Sequence, residues 1–129
     1  MDEANPDPVA GVDVKLEQAR RFALSLPEAR EEPHHEAMSF RVGGKIFATV
    51  HPDGKHLHVF VDEEVREPLI AAEPAVYESL RWGGKVLGVR VLLAQADSAV
   101  VSELLRTAWS SKAPKRLVAS PTESRRKPR

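Results

Sequence analysis

Apolar residues recur along this chain with two different periods, and the changes between them mark out its elements. Over 13–25, DVKLEQARRFALS, the residues Val14, Leu16, Ala19, Phe22 and Ala23 fall at three- and four-residue steps, which predicts a helix. Asp13 stands where a side chain can accept from the free amides of the first turn, and Glu17 adds negative charge near that end. Pro27 stops the helix, because a residue before proline is pushed out of the helical region. EAREEPHH then reads as a polar connection. The period changes to two across EAMSFRVGGKIFATVHPDGKHLHVFV, which predicts three strands. A short helix follows over 62–72, with Asp62 as its cap and Pro68 as an interruption. EPAVYESLRW leads into a second Gly-Gly-Lys, and KVLGVRVLL reads as a further strand. The last helix covers 97–111, capped by Asp97 or Ser98, with Val100, Leu104, Leu105 and Ala108 along one face.

The turns fix how these strands pair. In HPDGKH, proline presets one backbone angle and glycine accepts a positive one, so Pro52 to Lys55 form a tight loop. His51 then faces His56, Thr49 faces His58, and Phe47 faces Phe60. The alternate set pairs Val50 with Leu57, Ala48 with Val59 and Ile46 with Val61. That set is wholly aliphatic and is the expected core face. The octamer FRVGGKIF at 40–47 returns as LRWGGKVL at 80–87. Both read as hairpin tips. A two-residue Gly-Gly turn would carry Arg41 into the core, so a three-residue loop, Gly43 to Lys45, is expected, with Val42 facing Ile46 and Phe40 facing Ala48.

The element order is helix, three strands, helix, two strands, helix. Short connections imply an antiparallel sheet of about five strands with the helices on one face, a two-layer α+β domain. The other face is expected to stay open and to carry Arg41, Phe47, Thr49, His51, His56, His58 and Phe60, with Arg90 beside them.

Composition narrows the class. At 129 residues the chain suits one domain, and 42% apolar residues can fill a core. There is no cysteine, hence no disulfide, thiolate metal site or cysteine nucleophile. The acidic, Pro-rich N-terminus lacks the features of a signal peptide, and no apolar run approaches a membrane span, so the expected location is the cytoplasm, with no membrane partner. Net charge is zero but unevenly placed. Residues 1–36 hold nine acids and four bases, 37–111 nine acids and eight bases, and 112–129 one acid and seven bases. The expected organisation is a disordered segment over 1–12, one domain over 13–118, and a basic disordered tail over 119–129.

Candidate chemistry is sparse. No serine lies in a nucleophile elbow, no carboxylate pair has acid–base spacing, and the Gly-Gly-Lys segments lack a phosphate-loop frame. A non-enzyme without cofactor is expected. Three histidines on one hairpin face could approach a metal, but no further ligand has a defined spacing, so no metal site is assigned. Binding remains. Arg41, Lys45, Lys55, Arg81 and Lys85 lie at or near hairpin tips, where flexible cations and open backbone suit contact with nucleic-acid phosphates. Phe47, His56, His58, Phe60 and Arg90 offer an alternative, a sheet face for a protein or small ligand. The near-neutral folded region weighs toward the second.

FRVGGKIFATV, HLHVFV, GVRVLL and LLRTAW with APKRL, preceded by ALSLPEARE, together resemble the MmcQ/YjbR-like family of small bacterial proteins, over about residues 13–118. The resemblance implies a CyaY-like, double-wing α+β fold and a DNA-binding label that rests largely on fold analogy. It carries no agreed catalytic residues. Many relatives have an aromatic residue late in the second glycine segment; here Leu87 stands there and Trp82 precedes the glycines. A monomer, with DNA or another protein as partner, is the expectation.

Overall fold

The computed structural model describes residues 7–34 and 37–117. Its elements are α1 (Asp7–Ser25), β1 (Arg30–His34), β2 (Ala37–Val42), β3 (Lys45–Val50), β4 (His56–Val59), α2 (Glu63–Ala72), β5 (Tyr77–Trp82), β6 (Lys85–Leu92), a short 3-10 turn (Leu93–Gln95) and α3 (Ser98–Lys112). One six-stranded sheet has the order β1-β2-β3-β4-β6-β5, antiparallel throughout. The α+β two-layer expectation holds, with one strand more than the pattern predicted.

The extra strand is β1, in the segment whose polar sequence predicts a connection. It pairs only with β2, so it needs no apolar alternation, and an edge accommodates Pro33. Ser39 Oγ donates to the Glu32 carbonyl at 2.8 Å, which adds a side-chain tie across that pair. The first helix also begins earlier than predicted. Asp13 lies inside α1 rather than at its cap, and Pro8 occupies the first turn, where a missing amide costs nothing. The expected disordered segment over 1–12 therefore overlaps this helix from Asp7 onward; residues 1–6 and the tail over 119–129 lie outside the described residues.

Asp62 precedes α2 in extended conformation but makes no side-chain cap, and Pro68 sits within the helix. Asp97 does cap α3, its Oδ1 accepting from the Ala99 amide at 2.8 Å. α3 buries Val101, Leu104, Leu105, Ala108 and Trp109 against the sheet and α1. Val101, rather than the expected Val100, is the buried residue of its first turn. Trp109 Nε1 donates to the Pro27 carbonyl at 3.0 Å and so ties α3 to the exit of α1.

The β3–β4 register is the predicted one: Ala48 with Val59, Thr49 with His58, Val50 with Leu57. Asp53 builds the turn between them by accepting from the Lys55 and His56 amides at 2.7 and 3.1 Å. The first glycine hairpin departs from expectation. Val42 pairs with Lys45, not Ile46, so the turn has two residues, and Gly43 and Gly44 both take positive φ (59° and 80°). Arg41 nevertheless stays out of the core, because the register shifts between Phe40 and Arg41. One residue of β3 is left unpaired there. It is Phe47, which lies between Ile46, opposite Arg41, and Ala48, opposite Phe40. The bulge turns Phe47 inward: it is fully buried, with its ring centroid 6.4 Å from that of Phe40. Phe47 thus belongs to the core and not to the open face, and Ile46, expected in the core, is only partly buried.

The second octamer repeats this construction. Trp82 pairs with Lys85, Gly83 and Gly84 have φ of 58° and 86°, and a register shift between Leu80 and Arg81 leaves Leu87 unpaired. The side chains nevertheless go the other way. β2 and β5 run in the same direction, yet β2 precedes β3 in the sheet order whereas β5 follows β6. A half-turn about the strand direction superposes one hairpin on the other, and that rotation exchanges the faces of the sheet. Phe40, Val42 and Phe47 therefore meet the helices, whereas Leu80, Trp82 and Leu87 belong to the uncovered side. Trp82 is 75% exposed and Leu87 41%.

Candidate ligand-binding face

The uncovered face is organised by one cross-strand row. Glu32, Ser39, Thr49, His58, Arg90 and Glu78 stand in consecutive register, one from each strand. At the β1 end the row is closed. Ser39 is fully buried, and Arg41 Nε donates to its hydroxyl at 2.9 Å while lying 3.7 Å from a Glu32 carboxylate oxygen. Arg41 is thus engaged along the face rather than projecting from a tip.

At the other end the row borders an open depression of about 590 Å³. Its polar side is Thr49, His51, His58 and Arg90, and its apolar side is Phe60, Leu80, Trp82 and Leu87, with Ser79 and Arg81 completing the lining. His51 and His58 stack edge-on with centroids 5.3 Å apart. Burial pushes the His58 imidazole down to about 4, helped by the positive charge that His51, Arg90 and His56 would bring. His58 is therefore neutral at pH 7. His56 is held at the turn by Asp53, 2.8 Å from its Nδ1, and Asp53 is lowered well below its ordinary range by the Lys55 and His56 amides and the His56 ring, which outweigh burial. Among the described residues no group of three or more His, Cys, Asp or Glu has metal-holding geometry.

Arg90 is held loosely. Its Nη1 is 3.9 Å from Glu78, its Nη2 is 3.5 Å from His56 Nδ1, and its Nε is buried without a partner. His58 Nε2 is likewise buried and unpartnered. Two such atoms on paired residues are unusual, because buried donors and acceptors are nearly always satisfied.

The tip cations do not form one group. Lys45 and Lys85 share an end of the sheet, both exposed, because their strands end and begin in the same sense. Lys55 lies at the opposite end, in the β3–β4 turn. Arg81 is exposed beside Trp82. Of the expected face residues, His56, His58, Phe60 and Arg90 come together and Phe47 does not. Leu80, Trp82 and Leu87 escaped the sequence reading. Their signal was present in the octamer, where Trp82 replaces Val42, but its meaning depends on strand order.

A YjbR family model matches residues 24–111. The chain belongs to the YjbR family. The YjbR fold is also seen in the crystal structure of Deinococcus radiodurans protein DR2400, described with a DUF419 domain, which is similar at 27% identity over 71% of this chain and 73% of that one, with a TM-score of 0.63. No curated protein matches the chain. The family model spans both glycine octamers and every member of the polar row, from Glu32 to Arg90. Among the described residues, no helix is long and apolar enough to cross a membrane.

Proposed function

We propose that this YjbR-family chain is a non-catalytic binding module that takes its ligand on the uncovered sheet face, between the β5–β6 hairpin and the histidine-bearing strands. The second octamer turns Trp82 and Leu87 outward beside Phe60, Leu80 and Arg90, although the same pattern in the first octamer is spent on the core. Large exposed apolar side chains grouped over a depression mark binding sites, whereas scattered ones do not. The test is an NMR-detected small-molecule and peptide screen on the labelled full chain. Hits are expected to shift Phe60, Trp82 and Leu87 and to weaken in Trp82→Ala. Hits confined to the apolar groove between α2 and α3, lined by Val65, Leu69, Val100 and Leu104, would refute it.

A second reading, contact with duplex DNA, is favoured by Lys45 and Lys85 standing exposed at one end of the sheet. Each phosphate contact lowers the logarithm of affinity by about 0.9 per decade of salt. The Lys45→Glu, Lys85→Glu double variant should therefore lose a salt-dependent interaction with a short duplex, and no binding by the parent chain at low salt ends this reading.

A further inference from the structure

The charge balance of the depression says what its ligand carries. Of its ten lining residues, two are arginines and none is acidic. Arg81 is exposed, but Arg90 has only about a third of its side chain open to solvent, and among the described residues its nearest carboxylate oxygen is 3.9 Å away on Glu78. Elsewhere Arg20, Arg106 and Arg116 hold carboxylates at 2.8 to 3.0 Å. A partly desolvated guanidinium without a close anion is a costly arrangement, and a planar carboxylate is the group its fork matches. Beside it stands His58, paired with Arg90 in register, with Nε2 unpartnered. A neutral imidazole can add a single N–H to a carboxylate without adding charge. The same depression is lined by Trp82, Phe60, Leu80 and Leu87, whose side chains offer a largely apolar surface. The volume, about 590 Å³, lies in the range of small-molecule sites.

We infer that the depression binds a small planar carboxylic acid, its carboxylate on Arg90 and His58 and its apolar body against Trp82 and Phe60. This rests on the uncovered face being the binding surface. The alternative with the same charge, single-stranded nucleic acid, fits less well: its phosphates would follow exposed cations along a groove, whereas the under-paired guanidinium here is partly buried.

The experiment compares 2-naphthoate with 2-naphthamide, which share an apolar body and differ in charge. Each is titrated into the labelled full chain, with the Trp82 indole and Phe60 signals as readout. The carboxylate is expected to bind at least about tenfold tighter. Arg90→Gln should remove that preference, and Arg90→Lys should restore part of it. Trp82→Ala, at a position too exposed to threaten folding, should weaken both compounds together and leave their ratio unchanged. Equal binding of both at this face would overturn the carboxylate assignment and leave the binding surface standing. A preference that survives in Arg90→Gln, or tighter binding of a thymidine oligonucleotide at the same signals, would also overturn it. If neither compound moves Trp82 or Phe60 at millimolar concentration, the inference and the proposed surface fall together.

Discussion

FRVGGKIF and LRWGGKVL make the same backbone and opposite use of it. Each closes a two-residue glycine turn, and each is followed by a bulge at the third residue past the glycines, Phe47 in one and Leu87 in the other. The first hairpin turns its large apolar side chains into the core: Phe40, Val42 and Phe47 are fully buried, and Gly43 of its exposed turn lies near the segment after α3, where a Cβ would be 3.2 Å from Pro114. The second is at the margin, with open space around both turn glycines and Trp82 standing clear of the surface. A local sequence therefore specifies a hairpin, its bulge and which residues share a side. Which side meets the core is set by whether the first strand lies left or right of the second, and that belongs to the topology.

The two hairpins differ most in energy at the bulge. Phe47→Ala should destabilise the domain by about 3–5 kcal/mol, as for other buried phenylalanines. Leu87→Ala, the equivalent change in the second hairpin, should stay within about 0.5 kcal/mol. Urea denaturation of both variants measures the contrast. Similar losses would mean that the second hairpin is covered in solution, and equal tolerance that the first bulge is not packed as described.

The residue after the bulge differs for a related reason. Ala48 follows Phe47 and points into the core, whereas Gly88 follows Leu87, and a Cβ there would run into the Val59 carbonyl oxygen. That neighbour is backbone of β4, so it cannot turn aside, and β6 would have to move away from β4. Gly88→Ala should cost about 1–3 kcal/mol, the usual scale of overpacking. Gly84→Ala, where nothing lies nearby and only the positive φ is strained, should cost less, about 1–2 kcal/mol. Thermal unfolding that ranks Gly84→Ala as the worse variant would show that β4 and β6 are not so close.

A sequence pattern reveals a structural constraint only where that constraint acts locally. The β3–β4 register could be read because the Pro-Asp-Gly turn and the aliphatic alternation agree. Strand β1 could not, since an edge of Arg, Glu and Pro buries nothing that leaves a pattern. Period-two counting placed Phe47 on the open face because a bulge adds one residue, and strict alternation has no way to register it. The histidines and Arg90 were placed on the correct side by parity alone. Trp82, Leu80 and Leu87 were missed because the role of an octamer depends on the neighbour across the sheet, which no local window contains.

The strip between the two hairpins decides how far the uncovered face behaves as surface. His58 has an ordinary value of 6.5 and is held at about 4 in the fold. Between these values the unfolded chain binds a proton that the folded chain refuses, so stability is complete above about pH 6.5 and is lost as pH falls toward 4. Because the ring is partly open to water, the full shift overstates the energy, and about 1–2 kcal/mol is expected. Asp53 and Glu28, both lowered in the fold, contribute their own losses only at more acidic pH, near and below their ordinary values of 3.8 and 4.5. Denaturation midpoints followed from pH 7 to 5 should therefore fall in the parent chain and stay nearly flat in His58→Gln. A parent chain as flat as the variant would mean that water reaches the His58 ring freely, and that Arg90 beside it is solvated too.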